Sequence, residues 1–167
     1  MKLPYLVFAA FIGLTGITAS AHTHEGTDGD AMDASDVSTG VPGKLAQAHR
    51  TIAIEMNDAM TFTPSHITVK QGQTVRFKLK NVGAVEHELF LGSKEAIEAH
   101  RQMMVAHPGM HHEEPNVVTL APGQTGQLIW KFSTAGTVNM ACLQPGHFEA
   151  GMNGTITVVK VGAGSTQ

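Results

Sequence analysis

Cysteine, tryptophan and tyrosine each occur once in this chain, and charged residues make up only 15% of it. A single cysteine rules out a disulfide framework within the chain. Lys and Arg number eleven in 167 residues and are scattered, too sparse for the basic face that nucleic-acid binding needs to offset phosphate charge. Long apolar runs are also missing. The one candidate, Leu6 to Leu14, is short for a bilayer and is broken by Gly13 and Gly16. With Lys2 ahead of it and Ala19-Ser20-Ala21 behind it, this stretch fits a secretory signal peptide over residues 1–21, and no stable membrane insertion is expected once it is cleaved. Cleavage leaves ten bases against fourteen acids, a formal charge of −4.

In an exported protein thiols normally pair, and a lone one is open to oxidation. Cys142 therefore serves either as a small buried core residue or as a ligand, and its neighbours decide between the two.

Residues 22–43 contain Glu25, Asp28, Asp30, Asp33 and Asp36, no base and no apolar periodicity, which predicts a disordered acidic leader. From Thr51 onward a period of two sets in: Ile52, Ile54 and Met56; Ile67 and Val69; Val75, Phe77 and Leu79; Glu86 to Leu91; Val117 to Leu120; Leu128, Trp130 and Phe132; Val138, Met140 and Cys142; Ile156 and Val158. Gly- and Pro-bearing turns separate these runs. The pattern predicts an all-β antiparallel sandwich over residues 44–161 and a short tail over 162–167. One helical stretch, capped by Ser93 and running to about Ala106, interrupts it.

The strongest chemical signal is Cys142-Leu143-Gln144-Pro145-Gly146-His147-Phe148-Glu149-Ala150-Gly151-Met152. Within eleven residues it offers a thiolate, an imidazole and a thioether, with Pro145, Gly146 and Gly151 to tighten the backbone. Thiolate with thioether favours copper over zinc or calcium. A second imidazole has to come from elsewhere, and His87 is the best candidate because it starts a strand after a turn, in phase with Leu89 and Leu91. The result is a His2Cys site with a weak axial Met, suited to electron transfer. Strand alternation sends the next residue, Glu88, toward solvent, and Met56 and Met60 are expected to pack in the core.

Asn81, Glu86-His87-Glu88-Leu89 and Cys142…Pro145-Gly146-His147…Gly151-Met152 together resemble the cupredoxins, the blue-copper proteins that include plastocyanin and azurin; the likeness spans residues 51–161. Met60-Thr61-Phe62-Thr63-Pro64, His87-Glu88-Leu89-Phe90 and Gly146 to Met152 are most similar to the periplasmic cupredoxins associated with copper tolerance. The resemblance implies a Greek-key fold with copper near one end, His87, Cys142 and His147 as equatorial ligands, Met152 as the axial one, and an electron port at the His147 edge.

Two further copper sites are expected. Seven of the thirteen residues from 100 to 112 are His or Met: His100, Met103, Met104, His107, Met110, His111 and His112. The first four would share one helical face. At the expected mature terminus, the amine of His22, two amides and the imidazole of His24 would form a planar nitrogen site for Cu(II) or Ni(II).

These features predict a periplasmic copper-binding protein supporting copper tolerance, with a redox partner or copper-transfer protein as its counterpart. The alternative is a dedicated electron carrier using the same site. No enzyme is expected. Cys142 lies between Ala141 and Leu143 rather than the histidines that couple such a thiolate to a trinuclear centre, and a binuclear centre would need two thiolates.

Overall fold

The structure is a computed structural model and describes residues 38–107 and 114–162. Its elements in chain order are β1 (Val41–Pro42), a single 3-10 turn (Leu45–Gln47), β2 (Arg50–Asn57), β3 (Thr61–Thr63), β4 (His66–Lys70), β5 (Thr74–Asn81), β6 (His87–Gly92), α1 (Lys94–Ala106), β7 (Val117–Leu120), β8 (Thr125–Lys131), β9 (Gly136–Ala141) and β10 (Asn153–Val159). Two five-stranded sheets result, in the orders β1-β8-β5-β2-β3 and β4-β10-β9-β6-β7.

Alternation fixes the inner face of each sheet. Ile52, Ile54 and Met56 of β2, Val75, Phe77 and Leu79 of β5, and Ile156 and Val158 of β10 all enter one core with Trp130, Phe132 and Phe62. Phe77 and Phe132 meet edge to face with centroids 6.2 Å apart. Each such side chain fully buried contributes roughly 1.5–3 kcal/mol.

The expected sandwich is present, but it is not wholly antiparallel: β2 pairs with β5, and β4 with β10, in parallel. Period-two patterning assigns a face to each residue and says nothing about strand direction. Here β4 lies in the opposite sheet from β2, so the chain crosses over and returns, and β5 enters beside β2 running the same way.

The expected leader boundary at residue 43 also shifts. Val41 and Pro42 pair with Lys131 and Trp130 at the edge of the first sheet. An edge position suits proline, whose missing N–H leaves no ladder bond broken. Just ahead of this strand Thr39 is buried, and its carbonyl accepts a bond from Trp130 Nε1 at 3.2 Å.

Helix α1 starts where expected, with Ser93 Oγ accepting the Ala96 N–H at 3.1 Å. Its buried residues are Ile97, His100 and Met104. Ile97 joins Phe90, Ala141 and Leu143 in a second cluster, so β6 is covered on its outer face as well as its inner one, and every residue of β6 is buried. Among the described residues no helix is long and apolar enough to cross a membrane.

Candidate metal centre

β6 and β9 pair antiparallel, with Phe90 opposite Ala141, so the strand that begins at His87 lies beside the strand leading into Cys142. Beyond Cys142 the chain turns back into β10. The loop is closed by the Cys142 N–H donating to the Met152 carbonyl at 3.1 Å and the Met152 N–H to the His147 carbonyl at 3.0 Å. Gly146 and Gly151 take positive φ, 83° and 99°, where a side chain would be strained.

This folding brings three of the expected donors together. Donor atoms of His87, Cys142 and His147 all lie within 4.8 Å of one another. Cys142 Sγ is 3.3 Å from His147 Nδ1, and the two imidazoles have centroids 5.0 Å apart. His87 and Cys142 are fully buried and His147 is half-buried. Met152 is fully buried in the same cluster as Cys142.

Burial keeps both donors of the loop uncharged when no metal is bound. Burial pushes the Cys142 thiol up to about 12, and the Glu88 and Gln144 backbone N–H groups only partly counter it. A positive ion would reverse this and hold the thiolate. Burial, followed by the neighbouring His87, lowers the pKa of His147 and leaves its imidazole neutral and able to ligate. His87 Nδ1 is buried with no hydrogen-bond partner among the described residues, which suits an atom reserved for a metal. Thiolate, two imidazoles and a nearby thioether are soft to borderline donors, and the set fits copper.

Several residues around the donors were not legible in the sequence. Asp58, in the turn between β2 and β3, places Oδ1 3.1 Å from His87 Nε2. Gln144 donates to Glu86 at 3.0 Å, tying the segment before His87 to the one after Cys142. These contacts join residues 29 and 58 positions apart, and no local pattern announces them. Glu88 corrects an expectation: it is buried rather than facing solvent. Its N–H donates to Cys142 Sγ at 3.3 Å, and its carboxylate accepts from the Thr119 hydroxyl at 3.2 Å. The outer face of β6, where Glu88 points, is covered. Burial raises the Glu88 carboxyl to about 7 despite bonds from Thr119 and the Leu143 backbone.

The expected second surface is only partly a surface. His100 and Met104 face inward, the His100 ring tilted 47° against Phe90 with centroids 4.8 Å apart and its Nδ1 3.6 Å from Glu114 Oε1. Of the four residues expected to share one helical face, His100 and Met104 are the two that turn into the domain. Met56, expected in the core, is fully buried, and Met60 packs partly against the core. Met103 is half-buried and His107, at the C-cap, is exposed. Met110, His111 and His112 lie outside the described residues, as do His22 and His24.

Known proteins resemble this chain in sequence and in fold. The chain is 43% identical over 155 residues to the copper-resistant cuproprotein CopI of Rubrivivax gelatinosus, covering 92% of this chain and 93% of that protein. It is 35% identical over 162 residues to the CopI of Pseudomonas aeruginosa, covering 80% and 89%. A crystal structure of reduced auracyanin from Roseiflexus castenholzii superposes with a TM-score of 0.57 at 23% identity, over 67% of this chain and 98% of that one, and so shares the fold. Residues 48–159 match the copper binding proteins of the plastocyanin/azurin family, and it is to that copper-binding family that the chain belongs.

Proposed function

We propose that this chain is an exported, periplasmic copper-tolerance protein that binds one copper ion through His87 Nδ1, Cys142 Sγ and His147 Nδ1, with Met152 as a weak axial donor. The observation carrying the reading is the convergence of two imidazoles on a buried thiol, one of them offering a nitrogen with no other partner. Bound there, copper supplies one-electron exchange. His87, buried and hydrogen-bonded to Asp58, is the fixed donor; His147, half-buried in its loop, is the edge facing a partner. The Glu88 and Gln144 backbone N–H groups point at the sulfur, which is buried from solvent. The tolerance role is supported by relatives named copper-resistant cuproproteins.

Additional copper loading belongs to the same reading. With His100 and Met104 given to packing, it narrows to Met103, His107, Met110, His111 and His112, and to His22 with His24 at the mature terminus. A metal count above one per chain supports it, and a count of one removes it.

The half-exposed His147 also suits an electron carrier that hands charge to a redox partner. Deleting the gene separates the two readings: copper sensitivity rises if tolerance is the role, whereas an electron carrier leaves it unchanged and stalls a redox step. The site itself is tested by the absorption spectrum of the purified copper-loaded protein. An intense thiolate-to-copper band that vanishes in Cys142→Ser supports the assignment, and a loaded protein without that band overturns it.

A further inference from the structure

Asp58 lies outside the donor set, yet the loop that delivers His87 is built around its carboxylate. Oδ2 accepts the Ala84 N–H at 2.7 Å, and Oδ1 faces the Val85 N–H at 3.4 Å and His87 Nε2 at 3.1 Å. Gly83 passes so close that a Cβ there would run into the carboxylate. From the inner side, buried Asn81 accepts the Gly83 N–H at 2.8 Å and donates to the carbonyls of Val85 and Leu120 at 2.7 and 2.9 Å. Both oxygens of Asp58 thus face backbone N–H groups, so the carboxylate is an acceptor on every side from which the loop meets it, and 43% of its side chain remains exposed.

Resting on the ligand assignment above, we propose that Asp58 is a positioning residue for the copper site, fixing His87 as the Nε2–H tautomer and biasing the site toward Cu(II). A neutral imidazole carries one N–H and one lone pair, and the Asp58 oxygen that faces it already faces the Val85 N–H as an acceptor. Nε2 therefore bears the hydrogen, and the lone pair falls on Nδ1, the buried atom without another partner. The contact also orients the ring, and a carboxylate behind a ligating histidine makes it a more basic donor. A more basic donor with a negative charge behind it favours the more highly charged ion, so Asp58 lowers the reduction potential. Water and salt weaken the bias because the carboxylate is partly exposed, but they leave the tautomer fixed.

The test uses the mature protein, wild type and the variants Asp58→Asn and Asp58→Ala. With copper bound, the potential is read by spectroelectrochemistry on the thiolate-to-copper band. Without metal, the His87 tautomer is read by long-range 1H–15N correlation, and circular dichroism confirms that each variant is folded. Asp58→Asn is expected to keep the band and move to higher potential, and metal-free wild type to show Nε2–H, with a mixture of tautomers in Asp58→Ala. A band retained at unchanged potential overturns the inference, as does the same tautomer population in wild type and Asp58→Ala. Should a variant fail to hold copper, the tautomer comparison decides. A copper-loaded wild type lacking the band would instead refute the ligand assignment, leaving the tautomer result to judge Asp58 by itself.

Discussion

The backbone N–H of Glu88 points at Cys142 Sγ from 3.3 Å, while the side chain of the same residue sits buried beneath Thr119. One residue therefore supplies a fixed dipole to the sulfur and places a titratable group in a dry environment. Burial holds the Glu88 carboxyl at about 7, above its ordinary 4.5. The folded state then keeps a proton that the unfolded chain releases. The associated stability is fully present below pH 4.5 and is lost as the pH rises through about 7, a change on the order of 3 kcal/mol. Denaturant melts of metal-free protein at pH 4.5 and 8 should show that decline, and Glu88→Gln should flatten it.

Copper uptake should release a proton. With the thiol raised to about 12, Cys142 is protonated at neutral pH in metal-free protein and must ionise to ligate. Titrating weakly buffered wild-type protein at pH 7 with Cu(II) should liberate close to one proton per ion bound at the main site. Cys142→Ser should liberate none there.

The start of the folded region can be tested by truncation. A chain beginning at residue 44 loses β1 and the Thr39 carbonyl that accepts from Trp130, whereas one beginning at residue 38 keeps both. The shorter chain should be less stable by about 1–2 kcal/mol. Trp130 is the only tryptophan, and its fluorescence should shift to the red in the shorter chain alone.

Helix α1 has two kinds of contact with the domain, and they should differ in weight. Arg101 pairs with Glu149 of the donor loop at 3.2 Å and with Glu98 at 2.8 Å, all three at least one-third exposed. Such surface pairs are worth under about 1 kcal/mol. Ile97 is buried against Phe90 and Leu143, and its truncation to Ala should cost roughly 2–4 kcal/mol. Thermal unfolding of Arg101→Ala and Ile97→Ala compares them directly.

Much of this fold is legible in the chain because alternation marks the buried face of strands such as β2, β4, β5 and β10. The donor loop is legible because three soft donors fall within one short segment. Alternation fails at β6, where α1 covers the second face: Glu88 obeys the period of two yet points into a dry interior. Strand direction is invisible for the same reason, since face and direction are independent. Asp58 could not be found either. It is an aspartate in a turn, where aspartates are common, and only the closed fold brings it to His87.

The ladder between β6 and β9 has a consequence for specificity in time rather than in space. β6 is hydrogen-bonded on one side to β7 from His87 to Phe90 and on the other to β9 from Phe90 to Gly92, so the strand that carries His87 and the strand that leads into Cys142 are fixed side by side by the sheet itself, and bringing those two donors together requires little further chain ordering. Donors held in this way favour metal capture at the rate of encounter over capture gated by rearrangement of the polypeptide.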